Sequence, residues 1–243
     1  MLMRGWRGAG VLAGLVAGAV VMQTGGSLGR GALFAAPAFS ACVLAGVLGG
    51  ELSVRPAGGP VRTAAVEVRR ARDYLPRGLT RVVATAAAVL AVLLVATTAA
   101  GNADDMGRPG RMLWVACGPD VREGRGPWPG SYYSVPLAIV VLAGLVAAGA
   151  VLHRIAARPR VGDDDTTRRR SARAVIAAVG IMVALPAAGV SAVAGGAIIG
   201  TSCLPDAGGQ ALLALAAAQT LLLAWCGAAL LIPAPARAGS RPA

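Results

Sequence analysis

Cys117 and Cys203 are the residues best placed for covalent chemistry, because they stand in matching frames: Cys117-Gly118-Pro119-Asp120 and Cys203-Leu204-Pro205-Asp206. Two Cys-x-Pro-Asp segments on the oxidising side of a membrane predict a disulfide. A bond of this kind closes a long loop and contributes a few kcal/mol. The competing expectation is two thiols acting separately. Cys42 and Cys226 fall inside apolar tracts and are expected to pack as small hydrophobes. The one histidine, His153, cannot supply both axial ligands of a membrane haem or a Cys/His metal cluster. An aspartate-rich motif for a magnesium diphosphate, as in prenyl transferases, would need a further acid after Asp163-Asp164-Asp165, and Thr167 stands there. That tract, followed by Arg168-Arg169-Arg170, reads as a solvated zwitterionic linker, and Asp104-Asp105 as a solvated acidic pair. Nucleophile elbow, phosphate loop and nucleotide fingerprint are all absent from the sequence. Neither enzyme activity, cofactor nor metal is expected.

The elements that position these residues are long apolar runs. The chain has 243 residues, 56% of them hydrophobic and only 14% charged. A bilayer is crossed by about 20 apolar residues in a helix, and six windows qualify: 8–25, 31–50, 82–101, 134–152, 174–199 and 210–232. The expected fold is therefore all-α, a bundle of six transmembrane helices in a single polytopic domain. Inner loops are expected at 51–81 and 153–173, and an outer loop at 102–133. A rival reading makes the first window a signal peptide cleaved near Ala36-Pro37-Ala38. Cleavage there would leave the second window too short to cross.

Every one of the 23 basic residues is arginine, consistent with a high-GC genome. Under the six-span threading, 18 of them lie on the side of the termini and five on the other. The arginine bias sets orientation, so both termini are expected in the cytoplasm of a bacterial plasma membrane. The outer arginines are matched by Asp104, Asp105, Asp120, Glu123 and Asp206. The excess charge, +12 overall, then faces anionic inner-leaflet lipid. Arginines gathered at the ends of apolar runs argue against a nucleic-acid partner.

Within the inner loop, Val61, Ala65, Val68 and Leu75 follow helical spacing with Arg62, Arg69, Arg70 and Arg72 interleaved. This fits a short interfacial helix whose arginines touch lipid headgroups; a plain positive tether is the alternative. The outer loop, with Gly126-Pro127-Trp128-Pro129-Gly130, is expected to form extended turns. Trp114, Trp128, Tyr132 and Tyr133 are expected at headgroup level, with a small recognition lid as the other reading. The spans hold no ionisable residue, which argues against proton-coupled transport. Ser191 and Gln219 are the candidate intramembrane polar contacts. Pro37 and Pro186 are candidate kinks. Gly10, Gly14 and Gly18 form a packing stripe, with Gly46/Gly50 and Gly196/Gly200 as further pairs. These serve either the bundle itself or a membrane-protein partner. The matched cysteine frames also suggest that spans 3–4 and 5–6 are related hairpins.

The tract from Glu51-Leu52-Ser53-Val54-Arg55-Pro56 to Arg72-Asp73-Tyr74-Leu75-Pro76, with the general layout, resembles uncharacterised multi-pass integral membrane proteins of Streptomyces-like actinobacteria. The resemblance implies a membrane location and brings no activity with it. The expected role is a non-enzymatic scaffold or accessory subunit, the alternative a small carrier for an uncharged or hydrophobic solute.

Overall fold

Runs of Ala, Val, Leu and Gly form helices here, because only a helix or a closed barrel satisfies its own backbone away from water. The computed structural model describes residues 2–24, 30–53, 73–157 and 165–232. The elements are α1 (Leu2–Thr24), α2 (Arg30–Leu52), α3 (Arg77–Ala100), β1 (Leu113–Ala116), β2 (Arg122–Arg125), α4 (Ser131–Ala157), α5 (Asp165–Ile199) and α6 (Asp206–Leu231). All six helices are long and apolar enough to cross a membrane.

The bundle is built around α5, which packs against α2, α3, α4 and α6. Its inner stretch is sequestered almost without break: Val175, Ala177, Ala178, Val183, Ala184 and Ala187 have no exposed surface. Small residues permit this. A methyl added to Gly195 would stand 2.8 Å from the Gly209 carbonyl of α6. The outermost helices, α1 and α6, rest chiefly on α2 and α5 respectively, and their far faces are apolar and exposed, as at Leu12, Val16 and Leu221.

The glycine stripe on α1 faces inward. A methyl on Gly10 would stand 2.9 Å from the Gly46 Cα, and one on Gly14 would stand 2.8 Å from the Phe39 carbonyl of α2. Gly18 faces Ala35 more loosely, at 3.5 Å. Gly50 lies under the Trp6 side chain. Gly10, Gly14 and Gly46 thus build the α1–α2 hairpin, whereas Gly189 and Gly196 on α5 face open space.

Several boundaries differ from the sequence windows. At 35 residues, α5 is about 52 Å long, well beyond the roughly 30 Å hydrocarbon layer. It starts at Asp165 rather than near position 174. An arginine tract is a good helix former, and apolar window length does not register it. The α4 helix likewise runs through Ala157, so 153–157 and 165–173 of the expected loop are helical. Glu51 is inside α2, 1% exposed, with the Arg7 guanidinium 3.8 Å away. The expected interfacial helix, with Arg62, Arg69, Arg70 and Arg72, lies outside the described residues, as does the tract Asp163-Asp164.

Candidate functional site

The segment between α3 and α4 is an ordered cap rather than a string of extended turns. It opens with Asn102 bridged to Met112. It continues as an antiparallel hairpin whose register runs from Leu113 opposite Arg125 to Ala116 opposite Arg122. The Cys117 amide donates to the Val121 carbonyl at 2.8 Å and closes the tip. Two turns take glycine at positive φ, Gly107 at 73° and Gly110 at 71°, a conformation that side chains disfavour. Leu113 and Trp128 fill the space under the hairpin, packed with Ala194 of α5 and fringed by Val115, Ile198, Leu204 and Leu212.

Trp128 and Tyr133 correct the expectation of a headgroup belt: they are 4% and 3% exposed. The Trp128 indole N–H donates to the Thr97 carbonyl at 2.7 Å. Trp114 remains exposed, its indole N–H donating to the Ala103 carbonyl at 3.1 Å. Arg111 is enclosed beside the start of α4. Its guanidinium donates to Asp104 Oδ2 at 2.9 Å and to the Tyr133 hydroxyl at 3.2 Å. It also stands 5.1 Å from the Tyr132 ring centre.

Two links join this cap to the α5–α6 corner. Cys117 and Cys203 are at disulfide distance, their Cα atoms 5.4 Å apart across a separation of 86 residues. Beside them, Glu123 Oε2 accepts from the Ser202 amide at 2.9 Å and from the Ser202 hydroxyl at 2.7 Å. The other oxygen accepts from Arg125 at 2.7 Å. The Ser202 hydroxyl and amide, with help from Arg125, hold the Glu123 carboxyl below its ordinary value of 4.5. The ligand atoms of Cys117, Glu123 and Cys203 lie within 4.8 Å of one another. With the sulfurs bonded to each other, that trio offers a cation only the carboxylate.

The opposite pole carries a second tie. Arg168, in the first turn of α5 and 1% exposed, donates to the carbonyls of Ala156 at 3.0 Å and Ile155 at 3.4 Å. It therefore caps the C-terminal end of α4, where unpaired carbonyls favour a cation. Its guanidinium stands 5.7 Å from the Tyr74 ring, and Tyr74 packs on Ala156 and Ala172. One buried arginine thus gathers the entry to α3, the end of α4 and the start of α5.

Between the poles, Ser191 on α5 and Gln219 on α6 are buried, and Ser191 Oγ and Gln219 Oε1 have no hydrogen-bond partner among the described residues. The contacts of Gly195 with Gly209 and of Gly180 with Cys226 fix an antiparallel register. It places Ser191 and Gln219 about one and a half helical turns apart along the axis. The thiols of Cys42 and Cys226 take part in no disulfide. The sequence offers Trp128 as a headgroup-level ring, Glu123 as one of the acids matching the arginines of its side, and Arg168 as part of a solvated linker; the partners that each of them has here carry no local signal beyond Ser202 adjoining Cys203. No family model matches the chain, and neither a curated protein nor a solved structure does.

Proposed function

We propose that this protein is a non-enzymatic scaffold or accessory subunit of a bacterial plasma membrane, with both termini cytoplasmic. The observation that carries the reading is that α3, α4, α5 and α6 are tied at both poles. At the outer pole the Cys117–Cys203 pair joins the α3–α4 connection to the α5–α6 corner. At the inner pole Arg168 joins α4 to α5. A carrier that rocks hairpin α3–α4 against hairpin α5–α6 would have to open one of these ties in each cycle. A body fixed in this way suits holding a partner, and the apolar outer faces of α1 and α6 are the surfaces left for one. Orientation rests on arginine bias.

A second reading, a small carrier for an uncharged solute, draws on Ser191 and Gln219. Ser191 Oγ and Gln219 Oε1 are buried without a partner among the described residues, and such atoms are costly unless something bonds them. Mild-detergent affinity purification from the native membrane, with quantitative mass spectrometry, separates the two. The scaffold reading expects a stoichiometric partner that survives washing. A lone, monodisperse protein that conducts a solute in vesicles would overturn it.

A further inference from the structure

We propose that arginines at the inner ends of α3, α4 and α5 form a binding surface for the phosphate headgroups of anionic lipids. The surface is Arg77 and Arg81 on α3, Arg154 on α4, and Arg169, Arg170 and Arg173 on α5. This rests on the membrane reading above and names the partner of its inner pole.

The two poles treat arginine differently. At the outer pole, Arg108 and Arg111 are both paired with Asp104 and Arg125 is paired with Glu123, whereas Arg122 makes no ion pair among the described residues. At the inner pole none of the six arginines takes part in an ion pair among the described residues. Five are exposed and Arg173 is half-buried. Arg168 is different, because the α4 carbonyls and the Tyr74 ring already occupy it. Its part is positioning: it holds the three helix ends at one level.

Arg77 and Arg81 are four residues apart on a helix, as are Arg169 and Arg173, so like charges sit on shared faces and repel each other. An anion bound across them relieves that repulsion. The guanidinium fork suits phosphate because it donates two parallel hydrogen bonds. Position selects the headgroup layer over a soluble anion. Uncharged helix begins directly after Arg81 and directly after Arg173, which puts these side chains at the edge of the apolar slab. There an anionic leaflet attracts each basic residue with about 1 kcal/mol.

The test uses the full chain in nanodiscs containing equal phosphatidylglycerol and phosphatidylcholine. Lipid retained by the protein is read by native mass spectrometry. Wild type is expected to retain phosphatidylglycerol in preference. The triple variant Arg169→Gln/Arg170→Gln/Arg173→Gln should lose that preference at least fivefold, the loss of about one arginine's attraction. Arg122→Gln, at the outer pole, should keep it. Protection of Cys117 and Cys203 from alkylation shows that each variant is folded; should the triple variant lose it, Arg77→Gln/Arg81→Gln takes its place. Equal retention of both lipids, or equal preference in every variant, overturns the proposal while leaving the membrane reading intact. Failure of the wild type to insert overturns both.

Discussion

The indole N–H of Trp128 donates to the carbonyl oxygen of Thr97 at 2.7 Å, across 31 residues of sequence. That carbonyl lies in the last turn of α3, where Gly101 donates to Thr98 instead. The cap therefore completes the backbone bonding of the helix beneath it. Trp128→Phe should leave the buried carbonyl unpaired and cost about 1–3 kcal/mol. The expected result is a thermal transition in detergent lowered by several degrees. An unchanged transition would mean that the cap merely rests on α3.

Breaking the Cys117–Cys203 staple should cost more than losing one hydrogen bond. A link closing 86 residues constrains the unfolded chain by about 4.6 kcal/mol in the loop-entropy account. Cys117→Ser and Cys203→Ser should be destabilised alike, and the double variant should match either single one. In the native protein, both thiols should resist alkylation until reductant is added. Labelling without reductant would refute the staple.

Glu123 makes the cap sensitive to acid. Its carboxyl is held below the ordinary 4.5, first by the Ser202 hydroxyl and then by the Ser202 amide. A group depressed in the folded state stabilises it above the unfolded value, and the contribution fades as pH falls through the folded value. Hydrogen exchange at the Ser202 amide should accelerate as pH falls below about 4.5, relative to Glu123→Gln and after correction for intrinsic rates. The staple should hold the corner in place meanwhile. A parallel acid response in Glu123→Gln would assign the effect to another group.

The crossing of α1 and α2 predicts a contrast between glycines. A methyl on Gly46 would stand 2.6 Å from the Gly10 Cα, whereas nothing lies within 4 Å of the corresponding position on Gly189 or Gly196. Gly46→Ala should loosen α1 and expose it to protease. Gly189→Ala should leave stability within about 0.5 kcal/mol of wild type or raise it slightly, as Ala favours helix. Equal effects would contradict the packing.

The spans were legible because apolar length is a direct requirement of crossing a bilayer, and the cysteine frames were legible because Cys-x-Pro-Asp occurs twice. The cap was not. Gly126-Pro127-Trp128-Pro129-Gly130 carries turn signals, and nothing local says that Trp128 turns inward to a helix end. The strand Arg122-Glu123-Gly124-Arg125 lacks the apolar alternation that marks strands. Its pairing sets Gly124 opposite Trp114, whose ring would stand 2.7 Å from a methyl on Gly124. Arg168 stands in a run of three arginines, and only the arrival of α4 distinguishes it from Arg169 and Arg170.

The central claim is that six helices cross a bilayer with the cap and the arginine-rich helix ends on opposite sides. Single cysteines at Met106, in the cap, and at Arg170, in the first turns of α5, test it most directly. They would be placed in a Cys42→Ala/Cys226→Ala background and labelled in intact cells with a membrane-impermeant maleimide. The account predicts that Met106→Cys labels at once and Arg170→Cys only after permeabilisation. Labelling of both in intact cells, or of Arg170→Cys alone, would contradict it.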